Sequence, residues 1–313
     1  RAKCFTGITS CQSLRSCQPS QMHRVVFFLI ATAIPAWGQF QEDWNGEVEG
    51  SEKIQYKQVG ETKLHLFVFR SIKQNTGAPA IVFFHGGGWQ NGAPTQFEKH
   101  GRYLSSRGMV VITAEYRVED RHKTKATAAV ADAKSAMRWV RSHAKKLGVD
   151  PKRIAAGGGS AGGQLATSAA LLDGFNDRTD DRKVSCVPNA LVLFNPACVL
   201  APIDERADFI HEKYRADILA RLGVPGNQLS PWHHIKKGMP PTIVHHGSID
   251  HATPLWTAKV FVEKSRKAGN QSELAIYTGE DHGFFNFGLG GNKMFIATVR
   301  RTDEFFIKLG WLK

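Results

Sequence analysis

The stretch GGGSAGG at 157–163 carries one reactive side chain, Ser160, among residues no larger than alanine. Gly158 and Gly162 stand two residues to either side of it, giving the pattern G-x-S-x-G. A serine at a sharp strand-to-helix turn projects its hydroxyl clear of the backbone, and side chains at the two glycine positions would collide with the neighbouring strand and helix. The N-terminus of the following helix offers partial positive charge to a developing oxyanion. A hydroxyl is a weak nucleophile until a base takes its proton, and that base needs a carboxylate to orient it. The pattern is short and gains its weight from its place between an expected strand and an expected helix. A phosphate-binding glycine loop is the competing reading, but its G-K-[ST] ending is missing here.

Partners for the serine occur later in the chain. Asp250, in HHGSIDHATP, follows an expected strand 90 residues past Ser160, and His282, in GEDHGFFNF, follows the last expected strand 32 residues further on. Nucleophile, acid and base thus stand in the order Ser, Asp, His, each at the C-terminal end of a strand. Asp281, adjacent to His282, reads as a loop carboxylate. HGGGW at 85–89 follows the strand AIVFF. Its glycines let backbone N–H groups come close to a substrate carbonyl, and together with the N–H of Ala161 such donors form an oxyanion hole. Losing one such donor typically costs about 3 kcal/mol of transition-state stabilisation.

The elements that must position these residues alternate along the chain. Short apolar or β-branched runs at 64–69, 80–84, 109–116, 153–158, 189–195, 241–247 and 273–278 predict strands. Ala126, Ala129, Val130, Ala133, Met137, Val140, Ala144 and Leu147 recur at three- and four-residue steps, which predicts a helix ended by Gly148. Further helices are expected from residue 161, over about 254–268 and over about 294–309. This order implies an α/β fold with a mostly parallel sheet covered on both faces. Residues 198–238, which include DERADFIHEKYRADILARLG, are long for a connection and read as a small cap over the C-terminal edge of the sheet.

HGGGW, GGSAGG, GSID before a proline and DHGF resemble the α/β-hydrolase superfamily, in particular bacterial carboxylesterases near the hormone-sensitive-lipase group. The resemblance covers about residues 54–313. It implies an α/β-hydrolase fold with Ser160 as nucleophile, His282 as base and Asp250 as orienting acid. Gly87, Gly88 and Ala161 would donate to the oxyanion, His85 would brace the glycine loop, and Trp89 would border the substrate. The chain departs from the pattern in carrying Gly159 where that group has an aspartate, and YRVEDRHKTKATAA where it has a proline-rich segment. The stretch before the first strand is also short for the N-terminal cap helices of that group. An open pocket and short acyl esters are therefore expected, such as acetyl or feruloyl groups on a polysaccharide. The alternatives are an amidase or arylformamidase using the same nucleophile, and a ligand-binding protein of this fold without catalysis.

The rest of the composition sets limits. The chain has 313 residues, 42% hydrophobic and 22% charged, as suits a globular protein with a large core. Met22-His-Arg, the apolar run VVFFLIATAI and the small-residue site PAWG predict a signal sequence over 22–38, cleaved after Gly38, and hence a secreted or periplasmic protein. That run is shorter than the ~20 residues of a membrane span. Residues 1–21 read as a leader upstream of that methionine, and 39–313 as one domain. The four basic residues of 1–38, with no acid among them, account for four charges, leaving +9 of the total +13. The remaining basic residues are scattered and no basic run alternates with aromatics, so nucleic acid is not an expected partner. The expected partner is a small-molecule or polysaccharide-linked ester. The His pairs at 233–234 and 245–246 lack the helical i, i+4 spacing of zinc sites, and the acids of DGFNDRTDD at 173–181 lack calcium-loop spacing. No metal or cofactor is expected. Cys186 and Cys198 bracket the strand ALVLF, whose length separates them too far for a disulfide.

Overall fold

The structure, a computed structural model, describes residues 44–73 and 76–313; the expected leader and signal sequence lie outside them. Eight strands form one sheet: β1 (Glu52–Val59), β2 (Thr62–Phe69), β3 (Ala78–Phe84), β4 (Val110–Ala114), β5 (Val149–Gly159), β6 (Ala190–Phe194), β7 (Thr242–Gly247) and β8 (Ser272–Tyr277). Their spatial order is β1-β2-β4-β3-β5-β6-β7-β8. β1 with β2 and β2 with β4 pair antiparallel, and every other pair is parallel. This is the α/β-hydrolase architecture that the motifs imply. β3, β4, β6 and β7 are buried along their whole length, which is why they read as unbroken apolar runs.

The pleat divides β3 between two cores. Ala78, Ala80, Val82 and Phe84 face one, and Ile81 and Phe83 face the other. α1 (Glu98–Arg107) and α9 (Lys293–Lys308) cover the Phe83 face. α3 (Ala126–Ser142), α5 (Ala161–Leu171) and α8 (Leu255–Lys267) cover the Phe84 face. The short helices α2 (Glu119–His122) and α4 (Ala144–Leu147) flank α3 in the chain. The periodic run expected as one helix to Leu147 is interrupted at His143, and Gly148 then takes the left-handed conformation (φ 72°) that ends α4.

Residues 198–238 hold α6 (Glu212–Leu222), α7 (Gly226–Leu229) and a 3₁₀ turn at Pro231–His234. α6 buries only Ile218 and Leu222. β1 was not legible as a strand, because EKIQYKQV has no apolar run. Its buried Lys57 is balanced instead by Asp132 at 2.8 Å and Asp177 at 2.7 Å. Cys186 and Cys198 are free and buried. Among the described residues no helix is long and apolar enough to cross a membrane.

Candidate active site

β5 runs straight into Ser160, and α5 begins at Ala161. Ser160 adopts φ 52°, ψ −117°, a strained conformation for a residue with a side chain, and its N–H donates to the Phe194 carbonyl at 2.9 Å. The flanking glycines are demanded by hard contacts. A Cβ at Gly162 would lie 1.9 Å from the Phe84 carbonyl oxygen, and one at Gly158 would lie 2.5 Å from the same oxygen. Both contacts are with backbone, which cannot yield. Gly159 has a different reason: a Cβ there would lie 2.5 Å from the Phe285 ring, which stacks on Phe97 and Phe194. The space that an aspartate would need beside the serine is filled by Phe285.

Asp250 ends the β7 connection and is 6% exposed. Its carboxylate oxygens lie 3.0 and 2.9 Å from Nδ1 of His282. One oxygen also accepts the N–H groups of Ala252 and Thr253 at 2.9 and 2.8 Å, and the other accepts the Thr253 hydroxyl at 3.1 Å. Burial alone would raise the Asp250 pKa. The neighbouring His282 and His246 rings and the Thr253 N–H outweigh it and hold the carboxyl below the ordinary value. Burial likewise disfavours the charged form of His282, but Asp250, with a smaller contribution from Asp281, more than offsets it and the imidazole pKa is raised. Asp281 accepts the N–H groups of His251 and His282 and lies 3.0 Å from the His251 ring, a loop carboxylate apart from the Asp250 contact.

Ser160 and His282 both line two cavities. The first, about 20 Å³, is bordered by Gly86, Gly87, Gln96, Asn195 and Asn286. The second, about 30 Å³, is bordered by Trp89, Ala197, Ile210, Tyr214 and Ile218 and is the more apolar. Both are narrow spaces beside the serine.

The glycine loop passes between these cavities with Gly87, Gly88 and Trp89 all at positive φ (106°, 60° and 58°). The N–H groups of Gly87, Gly88 and Ala161 enter no hydrogen bond among the described residues, so they are available to a ligand oxygen. Several contacts hold this loop. The Gly86 N–H donates to Gln96 Oε1 at 2.7 Å, and the Tyr116 hydroxyl donates to the His85 carbonyl at 2.8 Å. His85 stacks on the Tyr116 ring at 4.1 Å, and its Nδ1 lies 2.7 Å from the Gly86 carbonyl. Burial lowers the His85 pKa to about 3, so the ring is neutral and Nδ1–H is the donor. Trp89 is buried, with its indole N–H 3.3 Å from Gln164 Oε1. From α6, Arg221 reaches the Gly88 carbonyl and Glu119, both at 3.4 Å.

Gln96, Tyr116, Asn195 and Arg221 were not legible as site residues. None sits in a local motif, and each meets the site only through a fold contact. The His245 and His246 side chains diverge: His245 Nδ1 meets the Tyr277 hydroxyl at 2.9 Å, and His246 Nε2 meets the Thr253 carbonyl at 2.8 Å. Among the described residues no group of three or more His, Cys, Asp or Glu is placed to hold a metal ion.

Known proteins share this fold. The BD-FAE family profile matches residues 66–264, and the prolyl oligopeptidase family profile matches residues 225–309. Carboxylesterase NlhH of Mycobacterium tuberculosis is 28% identical over 228 residues, 67% of this chain and 68% of that protein. The structure of Thermogutta terrifontis esterase 2 phosphonylated by sarin superposes with a TM-score of 0.83 at 41% identity, covering 86% of this chain and 98% of that one. The same esterase with propionate bound gives a TM-score of 0.79 at 43% identity, covering 85% and 97%. The chain belongs to the BD-FAE family of α/β-hydrolases and is a serine hydrolase of carboxylic ester bonds.

Proposed function

We propose that the protein hydrolyses short-chain acyl esters through an acyl-enzyme on Ser160. The Ser160 oxygen attacks the ester carbonyl while His282 Nε2 takes its proton, and the oxyanion accepts the N–H groups of Gly87, Gly88 and Ala161. The alcohol leaves with the proton held on His282. Water then attacks the acyl carbonyl, gives its proton to His282 and releases the acid, and the serine recovers its proton. The observation that carries this reading is the Asp250–His282 contact of 2.9 Å beside a strained serine that lines the same cavities as His282.

Two observations support a short acyl group. Ile210, Tyr214 and Ile218 border the apolar cavity, a narrow space of about 30 Å³. The similar Thermogutta esterase is known with propionate and with butyrate bound. An acetyl, propionyl or butyryl group suits this space better than an aromatic feruloyl group. The signal-like segment over 22–38 supports export, which would bring the enzyme to acetyl esters of polysaccharides. The test compares p-nitrophenyl acetate, butyrate and laurate with the wild type and Ser160→Ala. Cleavage of acetate and butyrate that disappears in the variant supports the reading. A preference for laurate overturns the short-acyl assignment, and undiminished turnover by Ser160→Ala overturns the nucleophile.

A further inference from the structure

We propose that Asn195 is a positioning residue for the base: in the resting site its side-chain amide donates to Nε2 of His282 and keeps that nitrogen unprotonated, releasing the lone pair to the Ser160 hydroxyl when a substrate is attacked. The inference rests on the reading of His282 as the base.

Asn195 follows β6 directly, is 1% exposed and sits at φ 34°. Asparagine tolerates this left-handed region better than most residues. Every polar group of the residue is engaged. Its N–H donates to the His245 carbonyl at 2.7 Å, and its carbonyl accepts the Thr253 hydroxyl at 3.4 Å. Its Oδ1 accepts the Gly283 N–H at 3.2 Å, and its Nδ2 lies 3.4 Å from His282 Nε2. The Gly283 N–H can only donate, so it fixes which end of the amide is oxygen and turns the NH₂ toward the imidazole.

The other ring nitrogen sets the tautomer. Nδ1 of His282 faces the Asp250 carboxylate, which can only accept, so Nδ1 carries the proton and Nε2 the lone pair. Asn195 donates to that lone pair. Were Nε2 protonated, its N–H would confront the amide hydrogens, and the contact would be lost. The charged and titratable groups around His282 otherwise favour the imidazolium. The Asp250 and Asp281 carboxylates both attract it. His246 lies 3.5 Å from Asp250 and His251 3.0 Å from Asp281, and each tempers one of those carboxylates. Thr253 approaches only Nδ1, at 3.4 Å. Asn195, 3.4 Å from Nε2, is a neutral donor that favours the free base.

Asn195→Asp separates this role from a structural one. Aspartate tolerates the same backbone conformation and keeps an acceptor for Gly283, but it places an acceptor where the amide donated. The expected result is a rise of at least one pH unit in the acid limb of kcat/KM for p-nitrophenyl butyrate, with at least a tenfold loss at pH 7 that recovers toward pH 9. Asn195→Gly also tolerates the conformation. It removes the donor without adding charge, and its limb moves in the same direction by less. An acid limb unchanged from wild type in whichever of the two variants melts cooperatively overturns the proposal. His282→Ala, measured in parallel, keeps the two claims apart. If it retains activity, the reading of the base itself fails, whatever Asn195 does.

Discussion

Two regions border the cavity beside Ser160, the elbow at 157–163 and the cap helix α6. The elbow is fixed by backbone. Its glycines lie under the Phe84 carbonyl, and its serine takes a conformation that only surrounding structure can hold. α6 is fixed by side chains. It buries Ile218 and Leu222, leaves most of its surface in water, and reaches the glycine loop through one arginine. On the proposed mechanism, the attacking oxygen therefore sits on the part of the molecule that cannot adjust, whereas the wall proposed to bound the acyl group sits on a part that can. A reaction needs its nucleophile placed within a fraction of an ångström. A pocket wall can be replaced residue by residue without disturbing that placement.

Breaking the rigid side gives the largest expected effect. Gly162→Ala drives a methyl group to 1.9 Å from the Phe84 oxygen at the end of β3. It is expected to cost about 3 kcal/mol of stability and at least a hundredfold in esterase rate, read by thermal melting and p-nitrophenyl acetate hydrolysis. A variant with wild-type rate would mean that the elbow is not held as described.

Acid comes next. His85, His100 and His245 are buried and uncharged, with pKa values lowered to about 3. The unfolded chain takes up their protons near pH 6.5 while the folded chain does not. Their full contribution is thus present above pH 6.5 and declines as the pH falls toward 3, by about 2 kcal/mol for each histidine at pH 5. Denaturant midpoints at pH 7 and pH 5 measure this. Neither ring nitrogen of His100 has a hydrogen-bond partner among the described residues, and the ring lies among Phe83, Phe97, Phe194, Phe285 and Phe295. His100→Phe is therefore expected to add about 1 kcal/mol at pH 7 and to flatten the acid dependence.

The cap variants sharpen the other half of the comparison. Arg221→Ala frees the Gly88 carbonyl from α6 and is expected to lower kcat about fivefold, roughly 1 kcal/mol, with little change in melting temperature. An equal loss of stability would make Arg221 a packing residue. Ile218→Ala opens the apolar wall and is expected to raise the octanoate-to-acetate rate ratio about threefold while the acetate rate holds. A fall in both rates together would place Ile218 on the rigid side.

What was legible in the sequence follows the same division. The elbow could be read because its steric demand is local, with Gly158, Ser160 and Gly162 within five positions. Asp250 and His282 could be read because strand ends are visible as the ends of apolar runs. α1 was missed because EKHGRYLSSR shows no apolar stripe. Its buried face is His100, Gly101, Leu104 and Ser105, and Gly101 is there to admit the Phe69 ring, 2.6 Å from where a Cβ would be. The reason for Gly159 lies 126 positions away in Phe285, and Asn195 meets His282 across 87 positions. Such contacts exist only once the sheet has brought the strand ends together. The size of the apolar cavity was likewise illegible, since Trp89, Ala197, Ile210, Tyr214 and Ile218 come from three separate segments.

The most direct test of the central claim is covalent labelling with a p-nitrophenyl alkylphosphonate, followed by peptide mass mapping, for the wild type and His282→Ala. The account predicts one adduct per chain on the peptide containing Ser160, formed together with loss of esterase activity, and at least a thousandfold slower labelling in the variant. An inactivating adduct on any other residue, or equal labelling rates in the two proteins, would contradict it.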